Sequence, residues 1–211
     1  MQIAIVSGGE LELPLIAEIE ANQLIIACDQ GAARLLQHHV VPHHCVGDFD
    51  SLSQQDFQLL QELSTIIERF PPEKDYTDTE LALNWAFQQV PERITIFAGI
   101  GTRLDHSLAN LYLLVQGYKK KIPTFLRTLH SEATVLGPGE YQLQRREQFP
   151  FISFLPVTPT VEGVDLEGFR YPLSQATFRL GETLGISNEL IDKTGTLRFQ
   201  TGYLFAIFSR D

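Results

Sequence analysis

Short apolar runs alternate with amphipathic stretches over the first 129 residues. Continuous apolar runs of strand length predict buried strands, and apolar residues at helical spacing between them predict helices. The predicted strands are residues 3–6, 24–28, 45–46, 65–67, 93–97 and 123–129. The predicted helices are residues 13–21, 32–37, 53–63, 77–90 and 105–118. This alternation predicts a parallel sheet with helices on its faces.

The pattern changes at about residue 131, where short β-rich runs are separated by Gly and Pro. These runs are residues 133–136, 141–145, 151–155, 160–166, 175–180, 196–200 and 203–208. Such a series is typical of an all-β sandwich or barrel. We therefore predict an α/β domain over residues 1–129 and an all-β domain over residues 130–211.

Composition narrows the class of partner. The chain has 16 Lys+Arg and 26 Asp+Glu, a formal net charge of −10, which argues against binding to nucleic acid or anionic membranes. No apolar run approaches the length of a membrane span, and the first residues lack the basic start of a signal peptide. Cys28 and Cys45 both lie in apolar runs, which favours buried thiols in a reducing compartment. We expect a cytoplasmic protein.

Two carboxylates stand together in Gly47-Asp48-Phe49-Asp50-Ser51, directly after the third predicted strand. Gly47 allows a sharp turn there, and open parallel sheets bind ligands at the carboxyl ends of their strands. Two carboxylates on one loop suit Mg²⁺, which leaves its other positions to water and phosphates. The alternative interpretation is a turn in which Asp48 or Asp50 caps a helix that starts near Ser53.

Carboxylates recur after the other predicted strands of the first domain. Because the carboxyl ends of parallel strands meet at one edge, six side chains could face one cleft, and crowded carboxylates repel each other unless a cation neutralises them. The six are Asp29, Asp48, Asp50, Asp75, Asp78 and Asp105. Lys74 and Arg103 on the same loops are the expected partners of phosphate oxygens. Together they indicate a site for a metal-bound nucleoside triphosphate.

The histidines leave two interpretations open. The four at positions 38, 39, 43 and 44 suggest zinc, but no cysteine lies at a zinc-finger spacing from them. His106 follows Arg103 and Asp105 in one loop. It either hydrogen-bonds the start of the helix or contacts phosphate.

Five segments, in this order along nearly the whole chain, resemble motifs of the thiamine pyrophosphokinase family. They are Cys28-Asp29-Gln30-Gly31-Ala32, Gly47-Asp48-Phe49-Asp50-Ser51, Lys74-Asp75-Tyr76-Thr77-Asp78, residues 99–106 with Asn110, and residues 168–173 with Ser187-Asn188-Glu189. One departure is Gln30, where the family usually has glycine.

The resemblance implies an N-terminal α/β domain that binds ATP and metal, and a C-terminal β-sandwich for thiamine binding and dimerisation. It implies transfer of pyrophosphate from ATP to the hydroxyethyl oxygen of thiamine, with Mg²⁺ as cofactor, in a homodimer with shared active sites. The implied Mg²⁺ ligands are Asp48, Asp50 and Asp78. The implied nucleotide contacts are Lys74, Asp75, Thr77, Arg103, Asp105, His106 and Asn110. Ser187 and Asn188 resemble the thiamine-contacting turn.

A primary alcohol is a poor nucleophile, so a carboxylate should help to remove its proton, and Asp29 and Asp78 are both candidates. Two rival functions remain. One is a phosphatase with an Asp-x-Asp nucleophile loop, although Leu52 stands where such enzymes usually carry Thr or Val. The other is a non-catalytic module that senses metal or nucleotide.

Overall fold

The computed structural model describes residues 1–50, 52–63, 65–71, 73 and 75–211. The chain forms two compact units, Met1–Leu129 and His130–Asp211. In the described part of the chain, no helix is both long enough and apolar enough to cross a membrane.

The first unit is built on six parallel strands in the order β4-β3-β2-β1-β5-β6. The strands are β1 (Gln2–Val6), β2 (Leu24–Cys28), β3 (His44–Gly47), β4 (Ile66–Arg69), β5 (Arg93–Phe97) and β6 (Thr124–Arg127). Ile3, Ala4, Ile5 and Val6 of the central strand β1 have no exposed surface. Burial on both faces explains the continuous apolar runs Ile3–Val6 in β1 and Leu24–Cys28 in β2. The predicted parallel sheet is confirmed.

Five α-helices connect these strands. They are α1 (Ile16–Glu20), α2 (Gln30–Gln37), α3 (Gln54–Glu62), α4 (Asp78–Gln88) and α5 (Leu104–Lys120). The single helix predicted over residues 13–21 is in fact a 3₁₀ turn, Leu13–Leu15, followed by α1. Pro14 explains the turn, because proline fits the first positions of a helix but cannot donate a hydrogen bond.

Hydroxyl side chains begin two of these helices. Ser53 Oγ accepts a hydrogen bond from the Asp56 N–H at 3.1 Å, so Ser53 caps α3, and the interpretation that Asp48 or Asp50 does so is wrong. Thr77 Oγ1 accepts from the Glu80 N–H at 3.2 Å and caps α4. The Glu80 carboxylate accepts a hydrogen bond from Gln116 of α5 at 2.7 Å, so it ties α4 to α5.

The second unit contains two antiparallel sheets, in the orders β12-β9-β14-β7 and β11-β10-β13-β8. The strands are β7 (Ser131–Leu136), β8 (Gly139–Gln144), β9 (Phe151–Pro156), β10 (Thr160–Glu167), β11 (Leu173–Arg179), β12 (Asn188–Glu189), β13 (Thr194–Phe199) and β14 (Leu204–Ser209). Buried residues from both sheets, including Phe154, Phe178, Leu197 and Ala206, share one core. The predicted sandwich is confirmed.

Candidate active site

Asp29 follows β2 directly and occupies an unusual backbone conformation, with φ at 40°. Its carboxylate Oδ1 accepts a hydrogen bond from the Phe49 N–H at 3.0 Å, which joins the loop after β2 to the loop after β3. Gly47 makes this contact possible, since a Cβ at that position would lie 2.0 Å from Asp29 Oδ1. Gly47, the first residue of the loop Gly47-Asp48-Phe49-Asp50 (the aspartate loop), is therefore required by the close approach of the Asp29 side chain.

Two further carboxylates, Asp48 and Asp78, lie near Asp29. Burial raises the pKa of Asp29 to about 6, the hydrogen bond from Phe49 opposes that rise, and the charges of Asp78 and Asp48 add to it. Asp78 also exchanges a hydrogen bond with Asp29. Like charges held this closely favour either a shared proton or a cation.

The aspartate loop is fixed by its own backbone and by Phe49. The Asp50 N–H donates to Asp48 Oδ1 at 3.0 Å, and Phe49, with φ at 61°, is buried with its ring 5.6 Å from that of Phe57. This anchor leaves Asp48 half-buried and Asp50 exposed. Asp50 lies 3.6 Å from the Arg69 guanidinium, so its exposed carboxylate already has a cationic partner.

The start of α4 presents Asp78 from a firmly held position. The next residue, Thr79, is buried, and its hydroxyl lies 2.9 Å from the Ser7 hydroxyl at the end of β1. Asp78 is half-buried in the first turn of α4, where backbone N–H groups favour negative charge. The helix start thus holds the carboxylate in place.

The loop after β5 is held from within α5. Asn110 is buried, and its Nδ2 donates to the Gly99 carbonyl at 2.8 Å. Ser107 Oγ accepts from the Gly101 N–H at 3.1 Å and is 3.0 Å from the Arg103 carbonyl oxygen. Asn110, predicted as a nucleotide contact, is therefore engaged in shaping this loop.

Arg103 and Asp105 form an exposed ion pair, with two guanidinium nitrogens 2.7 and 3.3 Å from the Asp105 oxygens. This contact raises the pKa of Arg103 and lowers the pKa of Asp105. Asp105 thus orients the Arg103 guanidinium. Arg103 keeps its charge for a second anionic partner.

A cavity of about 270 Å³ lies at this edge of the first unit. It is lined by Gly8, Gly9, Glu10, Gln30, Arg34, Gly99, Gly101, Thr102, Arg103, His106, Ser107 and Asn110. Three predicted nucleotide contacts, Arg103, His106 and Asn110, line it together. Sequence reasoning missed Arg34 and the Gly8-Gly9 turn as parts of a site, although two glycines one residue after the first strand were a usable signal.

None of the remaining predicted residues that the structure describes in the first unit lines this cavity. Lys74 lies outside the described residues, Asp75 is exposed, and the Thr77 hydroxyl caps α4. Among the described residues, no three His, Cys, Asp or Glu side chains are gathered as a metal-binding group. Mg²⁺ commonly uses only one or two carboxylates together with phosphate and water, so the carboxylates after β3 and at the start of α4 fit that ion.

In the second unit, Asn188 acts first as a structural residue. It is 3% exposed, its Oδ1 accepts from the Tyr171 N–H at 3.0 Å, and its Nδ2 donates to the Tyr171 carbonyl at 2.8 Å. Ser187 is exposed with φ at 54°, and its N–H donates to Ser153 Oγ at 3.0 Å. The two residues therefore form a rigid turn that presents Ser187 and Tyr171 to solvent.

Two family models match the chain, one in each unit. The "Thiamin pyrophosphokinase, catalytic domain" model matches residues 16–126, and the "Thiamin pyrophosphokinase, vitamin B1 binding domain" model matches residues 140–204. The chain belongs to the thiamin pyrophosphokinase family. The family resemblance inferred from the five motifs is thus confirmed.

Known members of the thiamin pyrophosphokinase family are similar over the full length. The chain is 37% identical to thiamine pyrophosphokinase of Bacillus subtilis over 211 residues, 99% of each protein. The crystal structure of the Bacillus subtilis enzyme matches with a TM-score of 0.92 and covers 100% of both chains. The structure from Geobacillus thermodenitrificans, also 37% identical, matches with a TM-score of 0.89 over 100% of this chain and 98% of that one.

Proposed function

We propose that the chain is a thiamine diphosphokinase, which transfers the terminal pyrophosphate of ATP to the hydroxyethyl oxygen of thiamine and releases AMP. The observation that carries this proposal is the presence of a catalytic-domain match and a vitamin B1-binding match in one chain. The crowded carboxylates beside a cavity with two arginines support it independently.

Mg²⁺ is the cofactor in this proposal, and Asp48, Asp50 and Asp78 hold it. Bound there, the ion would neutralise charge on the phosphate oxygens as the bond to AMP breaks. The repulsion that Asp78 and Asp48 exert on Asp29 supports a cation at this place. Asp50 would have to turn away from Arg69, an exposed contact at 3.6 Å that costs little to break.

Asp29 is the favoured general base for the hydroxyl of thiamine. Its pKa of about 6 lies close to neutral pH, where a general base is most effective. Asp78 exchanges a hydrogen bond with it, so a proton taken by one carboxylate is stabilised by the other. The hydrogen bond from Phe49 and the space left by Gly47 hold Asp29 in a single orientation.

The nucleotide is assigned to the cavity that Arg103, His106 and Asn110 line. Arg103 offers a planar group that can hold phosphate oxygens in a bidentate manner, and Asp105 orients it. Backbone groups of Gly8, Gly9, Gly99 and Gly101 let phosphates approach closely. Lys74, Asp75 and Thr77, which precede or begin α4, complete the proposed set of nucleotide contacts.

Thiamine binding is assigned to Ser187 and to the turn that Asn188 holds.

The chain is proposed to form a homodimer whose active sites are shared between subunits. Exposed large apolar side chains on each unit support a surface for the second subunit. Leu104, Leu108 and Tyr112 are 71%, 45% and 54% exposed and recur every four residues on α5. Three more lie at the Ser187 turn: Tyr171, which bonds to Asn188, and Ile186 and Ile191, which are close to Ser187 in sequence. They are 55%, 43% and 61% exposed, respectively. Such patches commonly mark interfaces.

A subunit-mixing experiment tests the shared site. Asp50→Asn and Ser187→Arg chains should each be poorly active alone, the second because thiamine is itself a cation. Mixed dimers should regain one of their two composite sites, which gives about a quarter of wild-type activity after random exchange. Proven mixed dimers without any recovery would place the whole site in one chain.

The two buried free thiols, Cys28 and Cys45, fit a reducing compartment. We extend the proposal to a cytoplasmic enzyme.

An assay separates the proposed reaction from the phosphatase alternative. Purified protein is incubated with ATP and Mg²⁺, with and without thiamine, and the products are resolved by chromatography. The proposal predicts AMP that appears only when thiamine is present. Free phosphate released from a monoester, without any need for thiamine, would support the phosphatase instead.

A further inference from the structure

Arg34 is a basic residue that was not predicted as a site residue, because it lies within α2 and not on a loop at the carboxyl end of a strand. It follows Gln30 by one helical turn, and both side chains line the 270 Å³ cavity. The same two residues also line a neighbouring groove of about 410 Å³. Leu35 and Ala32 of α2 are fully buried in the core, so the helix is fixed, and Arg34 stands at the wall common to both spaces.

The charge of Arg34 is not balanced within the described residues. Apart from Arg34, each described arginine that is not exposed has a charged or aromatic partner: Arg127 with Glu18, Arg146 with Glu132, Arg198 with Glu140, and Arg93 over Phe125. Arg34 is half-buried, yet no described residue gives its side chain an ion pair or a hydrogen bond. A partly desolvated guanidinium without a partner is costly unless an anion binds it.

The lining of the cavity identifies the class of anion. Its lining includes Gly9, which lets the loops after β1 and β5 pack against each other, since a Cβ at Gly9 would lie 2.3 Å from the Ala98 carbonyl oxygen. Arg34 and Arg103 line the cavity together with His106, against the single acidic side chain of Glu10. Two guanidinium groups, one in α2 and one directly before α5, line the same cavity and suit the oxygens of a phosphate chain.

We propose that Arg34 contacts the phosphate oxygens of ATP bound in this cavity, and that it is a further substrate-contacting residue of the reaction. The inference rests on the proposed function for the identity of the nucleotide. It does not depend on turnover, because it concerns binding alone.

The test is direct binding of ATP and of adenosine, by calorimetry and by competition with a fluorescent ATP analogue, in the absence of thiamine. Arg34→Gln should weaken ATP binding tenfold to a hundredfold, as for loss of a hydrogen-bonded charge, and leave adenosine binding unchanged. Arg34→Lys should recover only part of the loss, because lysine keeps the charge but not the planar fork. Arg179→Gln, at an exposed arginine 4.0 Å from Glu182 in the second unit, is the matched control.

Three other results would each overturn the inference. Unchanged ATP affinity in Arg34→Gln would show that the side chain does not contact the nucleotide. An equal loss for ATP and adenosine, with a lowered melting temperature before ligand is added, would show a structural role only. A wild-type protein that does not bind ATP would also refute it. Failure of the proposed function is distinguishable, since wild-type protein that binds ATP through Arg34 but makes no thiamine diphosphate contradicts only that function.

Discussion

Gly47→Ala should disturb the site through a single methyl group. The new Cβ would lie 2.0 Å from Asp29 Oδ1 and 2.7 Å from its Cγ, but 3.4 Å from the nearest backbone atom of Asp29. The backbone contact is ordinary, so the Asp29 carboxylate has to move. The hydrogen bond from the Phe49 N–H to Asp29 Oδ1 is then lost.

The lost hydrogen bond should lower the stability, and the displaced carboxylate should lower the turnover. A hydrogen bond to a charged group contributes about 1.5–3 kcal/mol, so we expect the free energy of unfolding to fall by about 2 kcal/mol. For a chain of this size that corresponds to a melting temperature about 4–8 °C lower. If Asp29 is the general base, its displacement should lower turnover on the order of a hundredfold, the usual contribution of a positioned base.

Thermal unfolding followed by circular dichroism, and thiamine diphosphate formation measured well below the transition, check these values. Gly8→Ala is the stability control, since a Cβ at Gly8 meets no atom within 4 Å. It should unfold within about 0.5 kcal/mol of the wild type. A Gly47→Ala protein with wild-type turnover and melting temperature would refute the coupling of Gly47 to Asp29.

Three further substitutions test the charges of the site. Asp29→Asn should reduce turnover yet stabilise the ligand-free protein, because the pKa of Asp29 is raised in the folded state to about 6; after allowance for solvent screening the gain is about 1–2 kcal/mol at pH 8. The gain should vanish as the pH falls below 4, where the Asp29 carboxyl is protonated in both the folded and the unfolded chain, and urea unfolding across this pH range measures it. A loss of stability at pH 8 would contradict the raised pKa of Asp29. Asp50→Asn should lower turnover on the order of a hundredfold, and near-normal rates at limiting Mg²⁺ would count against a metal-binding role. Arg103→Lys should weaken ATP binding about tenfold, since lysine cannot hold phosphate in a bidentate manner, and equal affinity by calorimetry would contradict the assignment.

The strands of the first unit could be predicted because burial on both faces leaves a local signal. Residues Ile3 to Val6 of β1 and the stretch from Leu24 to Cys28 are apolar without interruption, and polar residues or glycines follow each run: Ser7-Gly8-Gly9 after the first and Asp29 after the second. β12 could not be predicted in this way, since its two residues, Asn188 and Glu189, pair with β9 from a turn. Its formation depends on bonds between Asn188 and Tyr171, which are distant in sequence.

The residues of the site divide in the same way, into those with a local signal in the sequence and those without one. Asp48 and Asp50 are visible in the sequence as a pair after a strand, but the contact of Asp29 with Phe49 crosses from one loop to another. Its dependence on Gly47 is steric and exists only in the folded chain. Arg34 left no local signal either, because an arginine in a helix usually faces solvent. Only the packing of α2 turns it towards the cavity.

The position of attack on ATP tests the proposed function most directly. ATP labelled either in its γ-phosphate or in its α-phosphate is incubated with the protein, Mg²⁺ and thiamine, and the labelled products are identified. Pyrophosphate transfer predicts the γ label in thiamine diphosphate and the α label in AMP, in equal amounts and without ADP. The γ label in thiamine monophosphate with ADP, or in free phosphate, would contradict the account.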